Sequence, residues 1–416
     1  MARSKFQTTD WYSFICFFLL SFFGWLNIHS AAYNENNPSI FDIDEPYGKQ
    51  FLWIILSCVI ILVVFLLSKK FFERFSSLIY LVSMLSLFGL IFFGKKISGA
   101  TSWYAIGPIS IQPSEFAKSA TSLALAKYMS DINTNIKRIK DQVQALIVIL
   151  IPPLLIMLQP DAGSALVFGA LVFPLLREGV SMIYIYIGAS AVSIFIFTLL
   201  FSPKLVSLIL AIITLIVIYI RNKQGKNIFY VILLSGLMSL YSFSTDYIFH
   251  NVFKQHHRDR INLVLGKKTD TRGIGYNTNQ SQIAIGSGGM FGKGWKKGTQ
   301  TQGGFVPEQH TDYIFSTVGE EWGFVGSSTV IFLFCFLILR VLIIAERQKS
   351  QFNRVYGYSV GGILFIHFFV NIGMVIGLLP TVGIPLPFLS YGGSGLWGFA
   401  ILLFILLKID SERFDR

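Results

Sequence analysis

"FLWIILSCVIILVVFLLS", residues 51–68, is an apolar run without a charged side chain. Wound as a helix at 1.5 Å per residue it reaches roughly 27 Å, close to the ~30 Å hydrocarbon core of a bilayer. Similar runs recur along the 416-residue chain, which is 53% hydrophobic and only 13% charged, with a mean hydropathy of +0.61. That composition lies well beyond a soluble domain and identifies a membrane protein. Spans are expected at about 11–31, 51–68, 75–94, 114–130, 142–159, 163–176, 180–201, 204–221, 227–248, 313–344, 355–379 and 388–408. The expected fold is an all-α polytopic bundle of about twelve helices, one membrane domain over 1–416, with the fourth and sixth spans the shortest. "MARSK" before the first span resembles the start of a signal sequence, but no small-residue cleavage site follows, so the span reads as an uncleaved helix. Cys16, Cys58 and Cys335 all fall in apolar runs without metal-ligand spacing, against both disulfide and zinc readings.

Short basic loops set the orientation. "KKFFER" (69–74), "KRIK" (137–140), "RNKQGK" (221–226) and "ERQKSQFNR" (346–354) belong inside by the positive-inside rule, with both termini. The first outer loop carries Glu35, Asp42, Asp44 and Glu45 instead.

The same register puts 249–311 outside, although it is the most basic segment. Between Lys254 and Lys297 stand Lys254, Arg258, Arg260, Lys267, Lys268, Arg272, Lys293, Lys296 and Lys297, against Asp259 and Asp270. Two readings are open: solvated lysines in a loop too long to influence topology, or a site for a lipid-linked phosphate or diphosphate. Gly266–Gly304 also holds eleven of the 36 glycines. Its "QIAIGSGGMFG" (282–292) is too apolar for a free loop and too glycine-rich for a helix, which predicts a re-entrant segment lining a cavity. Neither a P-loop nor a dinucleotide register fits, so nucleotide chemistry and a nucleic-acid partner are not expected.

Ionisable residues inside apolar spans mark candidate cavities. Glu115 and Lys118, three apart in "QPSEFAKSATSLALAK", can pair on one helical face, within a cavity or as a snorkelling pair at a helix end. Asp161 in "LQPDAGSALV" reads as a helix N-cap. Glu320 and Glu321 lie in a transmembrane pattern and require a paired or aqueous setting. His310 has no second histidine at ligand spacing, so no metal site is expected. The Pro- and Gly-rich stretch 371–395 either builds a site at the membrane mouth or only turns two helices.

"QPSEFAK", "QPDAGSALV", "DTRGIGYNTNQSQIAIGSGGMFGKGW", "GTQTQGGFVPEQHTDYIFSTVGEEWGFVG" and "NIGMVIGLLPTVGIPLPFLSYGGSG" together resemble the shape, elongation, division and sporulation family of bacterial membrane glycosyltransferases. The five motifs occur in family order over about 100–395, closer in wording to the rod-shape branch than to the division branch. The resemblance implies a peptidoglycan glycosyltransferase that polymerises lipid II on the outer face of the cytoplasmic membrane. It also implies a class B penicillin-binding transpeptidase and other elongation-complex proteins as partners. The family's essential aspartate falls on Asp270, followed here by Thr271 where the family pattern has proline. The family usually has ten spans, so 204–248 reads as an inserted helix pair.

On that resemblance Asp270 is expected to be the general base, with Glu115 and Lys118 as an orienting pair in the cavity. Arg258, Arg260, Lys267, Lys268 and Arg272 are candidates to neutralise the departing diphosphate. Gln280, His310 and Ser390 fall in matching motifs and are expected on the substrate. No resident cofactor or metal is expected, and any Mg²⁺ would arrive with the diphosphate. The competing reading is a transporter of lipid-linked oligosaccharide. It predicts internal repeats between the halves, which the chain does not show.

Overall fold

A computed structural model describes residues 9–33, 39–97, 99–107, 109–223, 228–267, 273 and 275–413. The chain divides into two compact units, 1–180 with 277–416, and 181–276.

The larger unit begins with α1 (Trp11–Ala31), whose N-cap Asp10 accepts the Ser13 N–H at 3.1 Å. α2 (Pro46–Leu66) opens on a proline, whose missing N–H costs nothing in a first turn. α3 (Lys69–Phe93) is capped by Ser68. A small antiparallel meander follows: β1 (Lys95–Ile97), β2 (Ala100–Ile106) and β3 (Ile109–Ile111). The hydropathy pattern does not announce these strands, which are short and polar-flanked. α4 (Pro113–Met129) and α5 (Ile139–Met157) come next, and then α6 (Ala162–Val167) and α7 (Val172–Arg177), separated by a 3₁₀ turn. After the smaller unit the chain returns with α12 (Tyr276–Ser287), α13 (Thr299–Gln302), α14 (Ile314–Glu346), α15 (Gln351–Val375) and α16 (Gly393–Ser411).

α4 is the hub, packed by α3, α15 and α16. Ser114, Ala117, Ser119, Ala120, Thr121, Ser122, Ala124 and Ala126 are all buried on it. Such small side chains let neighbouring helix backbones approach closely in a membrane, where lipid supplies no hydrophobic drive. Its polar content, uncommon for a span, is therefore a packing surface.

Each of the twelve expected spans coincides with a helix, but among the described residues ten helices are long and apolar enough to cross a membrane. The two that fall short are the fourth and sixth. α4 has 17 residues and carries Glu115, Lys118 and Lys127, and Ala162–Arg177 is interrupted by its 3₁₀ turn.

The expectation that 282–292 is non-helical is corrected in part. Gln282–Ser287 ends α12, because Gly286 has open space around it and is tolerated in a helix. From Gly288 the chain leaves the helix and lies against a break in α14. Gly323 there has φ 64° and ψ −155°, a conformation essentially reserved for glycine. Phe324 and Val325 donate their freed N–H groups to the carbonyls of Gly289 and Met290 at 2.9 and 3.1 Å, and Lys293 and Gly294 donate to Glu320 and Glu321. A Cβ at Gly288 would stand 2.0 Å from the Gly319 carbonyl oxygen. The glycines thus serve close backbone approach: the loop satisfies the groups a broken membrane helix leaves unpaired.

The smaller unit holds α8 (Ile183–Leu200), α9 (Pro203–Lys223) and α10 (Phe229–Asn251), with α9 and α8 both packed on α10, then the short α11 (Gln255–Val264). The 249–311 segment therefore contains the end of α10, then α11, α12 and α13.

Candidate active site

An ionic cluster is buried where α4, α15 and α16 of the larger unit meet. Glu115 and Lys118, one turn apart near the start of α4, are 3% and 2% exposed, and Lys118 Nζ donates to Glu115 Oε2 at 2.7 Å. Nζ also lies 3.0 Å from Nε2 of His367 on α15, which is 1% exposed. The other ring nitrogen, Nδ1, lies 3.1 Å from the Pro385 carbonyl. A carbonyl only accepts, so Nδ1 carries the hydrogen and Nε2 presents its lone pair to the ammonium. Phe399 offers its ring face 4.4 Å from Nζ. Gly398 lets α16 approach: a Cβ there would sit 2.9 Å from the Glu115 carbonyl oxygen. The pair is thus buried and fully partnered, not snorkelling.

Four of the sequence motifs meet here. Gln112 donates through Nε2 to Asp161 at 3.0 Å, and Asp161 caps α6 by accepting the Ser164 N–H and hydroxyl at 3.0 and 2.8 Å. Asn371 on α15 donates to the carbonyls of Asp312 and Ile384 at 2.8 and 2.7 Å, tying the 376–392 connection to the 308–313 turn. Ser390 binds the Thr311 carbonyl and the Leu386 N–H, so its hydroxyl is engaged by two backbone groups. The half-buried His310 packs edge-on to Tyr391, and its carbonyl accepts the Tyr391 N–H. Burial lowers the His310 pKa, with Glu308 opposing. Asp312 is pushed up to about 7, chiefly by burial and then by the charges of Glu308 and Asp161.

Glu320 is paired, as its place in a span requires, and Glu321 is hydrogen-bonded without a cation partner among the described residues. Glu320 accepts Lys293 Nζ, the N–H groups of Gln300 and Thr301, and the Thr301 hydroxyl, and Glu321 accepts the Ser30 hydroxyl. These carboxylates hold the glycine-rich loop in place. Among the described residues no group of three or more His, Cys, Asp or Glu side chains could hold a metal ion.

The family model for FtsW, RodA and SpoVE, described as cell cycle proteins, matches residues 10–204 and 180–414. The chain belongs to this family. It is 35% identical over 363 residues to the Escherichia coli K12 peptidoglycan glycosyltransferase MrdB, covering 86% of this chain and 84% of that one. It is 31% identical to the Treponema pallidum peptidoglycan glycosyltransferase RodA, with 97% and 98% covered. Among solved structures it resembles a chain from a peptidoglycan synthase complex that coordinates polymerization and crosslinking, with a TM-score of 0.71, 25% identity and 98% and 99% coverage. The Thermus thermophilus rod shape determining protein RodA shares the fold, with a TM-score of 0.64 at 23% identity over 98% of each chain. The protein is thus a multi-pass membrane protein of the FtsW/RodA/SpoVE family, with RodA-like relatives.

The remaining family-expected residues divide. In the smaller unit, Arg258 donates to the His250 carbonyl and to Gln255 at 2.8 and 2.9 Å, Arg260 is exposed on α11, and Lys267 donates to the Leu199 carbonyl. Gln280 is half-buried on α12. Asp270, Lys268 and Arg272 lie outside the described residues. The sequence reading missed His367. A histidine in the apolar run 355–379, one helical turn from Asn371, is the signal that could have found it.

Proposed function

We propose that this protein is a peptidoglycan glycosyltransferase that polymerises lipid II into glycan strands on the outer face of the bacterial cytoplasmic membrane during elongation. The observation that carries the proposal is the buried Glu115–Lys118–His367 cluster, built where four family motifs converge, in a chain of this family. The basic loops at 69–74, 137–140, 221–226 and 346–354 support an orientation with both termini inside.

The reaction is a single displacement. An acceptor sugar hydroxyl attacks the anomeric carbon of a lipid-linked donor, the C1–O bond to the diphosphate breaks, and undecaprenyl diphosphate leaves with inversion from α to β. Asp270 takes the hydroxyl proton as general base. Arg258, Arg260, Lys267, Lys268 and Arg272 are the candidate neutralisers of charge on the leaving diphosphate. Glu115 and Lys118, buried behind the motifs, position the site from within the bundle, with Gln280 and His310 as polar contacts to substrate. Any Mg²⁺ is carried in by the diphosphate. The partner is a class B penicillin-binding transpeptidase, by likeness to the synthase-complex chain.

The test uses purified protein with its transpeptidase and lipid II in liposomes, with glycan products separated on gels. Wild type makes long strands and Asp270→Asn makes none while still binding its partner. Transfer of lipid II across the vesicle without strand formation would favour the transporter.

A further inference from the structure

At the far end of α4 from the ionic cluster, about 14 Å from Lys118 to Lys127 at 1.5 Å per residue, a polar cavity of about 610 Å³ opens between α3, α4 and α5. Lys127, Lys140, Tyr80, Tyr128, Asn133 and Gln144 are among its lining residues. Lys127 is half-buried, and neither it nor Lys140 has an ion-pair partner among the described residues. The two aspartates in the wall are already engaged: Asp131 accepts the Asn133 N–H at 3.0 Å and Asp141 the Asn135 N–H at 2.9 Å. Lys137 and Arg138 lie on the connection that carries this wall, so the segment from Lys127 to Asp141 holds four cations against Asp131 and Asp141.

The cavity is also two-ended. From the lysines its wall descends past Tyr80 to Val148, two turns into α5. Beside it Leu78, Leu81 and Leu85 of α3 and Val143, Ile147 and Leu150 of α5 are exposed at membrane-facing positions. Cations and tyrosines at one end and bare apolar helix at the other fit an amphiphile better than a free anion.

We propose that this cavity binds the phosphate headgroup of an anionic membrane phospholipid, with Lys127 and Lys140 on the phosphate and the acyl chains along α3 and α5. Basic pockets between membrane helices are suited to such headgroups. The site shares no residue with the glycosyltransferase machinery, and the proposal does not depend on which face of the membrane it occupies.

The test is native mass spectrometry of the full-length protein, delipidated in detergent and titrated with phosphatidylglycerol, cardiolipin, phosphatidylcholine or inorganic pyrophosphate. Wild type retains the two anionic lipids over phosphatidylcholine. Lys127→Gln with Lys140→Gln weakens that retention about thirtyfold, from about 1 kcal/mol per lysine at an anionic headgroup. The Lys127→Arg, Lys140→Arg protein retains it, which separates lost charge from lost folding. Equal retention of phosphatidylcholine by wild type, or unchanged retention by the double glutamine variant, overturns the proposal. Pyrophosphate binding that displaces no lipid and is lost in the glutamine variant reassigns the cavity to a free phosphate compound.

Discussion

Nζ of Lys118 lies 3.0 Å from Nε2 of His367, a nitrogen left as an acceptor because Nδ1 of the same ring donates to the Pro385 carbonyl. One imidazole therefore joins a helix-borne ion pair to the 376–392 connection. The neutral ring lets the lysine keep its charge beside Glu115 without a second cation in the same buried space.

Removing one member of this cluster should cost more than removing two. Glu115→Gln leaves a buried ammonium without its counter-charge, a loss on the order of 3–5 kcal/mol. His367→Ala strips one acceptor from Lys118 and one donor from Pro385, on the order of 1–3 kcal/mol. The Glu115→Gln, Lys118→Met double variant should recover part of the single-variant loss. Thermal unfolding in detergent reads these variants together with the Lys118→Met single, and strict additivity of the Glu115→Gln and Lys118→Met changes would exclude the coupling.

Asp312 should make stability depend on pH. Its carboxyl is raised from an ordinary value near 3.8 to about 7 by burial, then Glu308 and Asp161. Between those values the folded chain holds a proton that the unfolded chain has released, so stability falls as pH rises from about 4 to about 7. Above pH 7 the penalty is fully present. Asp312→Asn removes it: the variant's midpoint should gain on wild type from pH 4 to pH 7 and then stay level. Parallel profiles would mean that the carboxyl titrates normally.

The broken helix gives a contrast between glycines. A Cβ at Gly323 would meet the Gly292 nitrogen at 2.3 Å in a backbone conformation closed to alanine, so Gly323→Ala should cost at least about 3 kcal/mol. Gly286 sits in α12 with nothing within 4 Å, and Gly286→Ala should stabilise by roughly 0.5–1 kcal/mol. A Gly323→Ala midpoint at or above that of wild type would refute the docking of the 288–294 loop on α14.

These contrasts also mark what sequence could reveal. Length and apolar run suffice for α1, α2 and α3, because a membrane helix satisfies its own backbone and needs no distant partner. The β1–β3 meander escapes, since strands of three to seven residues are fixed by cross-strand pairing such as Tyr104 with Ile111. α12 escapes because its glycine looks like a breaker, although nothing crowds it. In the site, Glu115 and Lys118 are legible as a local i,i+3 pair, whereas His367 reaches them across 249 residues. Only the packing of α15 on α4 creates that contact.

Asp161 tests whether a family motif residue is structural. Its carboxylate caps α6 through the Ser164 N–H and holds Gln112, while its charge bears on Asp312. Asp161→Asn keeps a capping oxygen but removes the charge, and Asp161→Ala removes both. If capping is its whole contribution, Asn behaves as wild type and Ala loses about 1 kcal/mol. The electrostatic link predicts more: with either substitution the Asp312 ionisation moves down toward the ordinary carboxylate range, so the fall in stability with rising pH ends earlier than in wild type. The pH dependence of the unfolding midpoint in the Asn variant decides between the two, because the Ser164 cap is intact there and loss of the Gln112 contact is independent of pH.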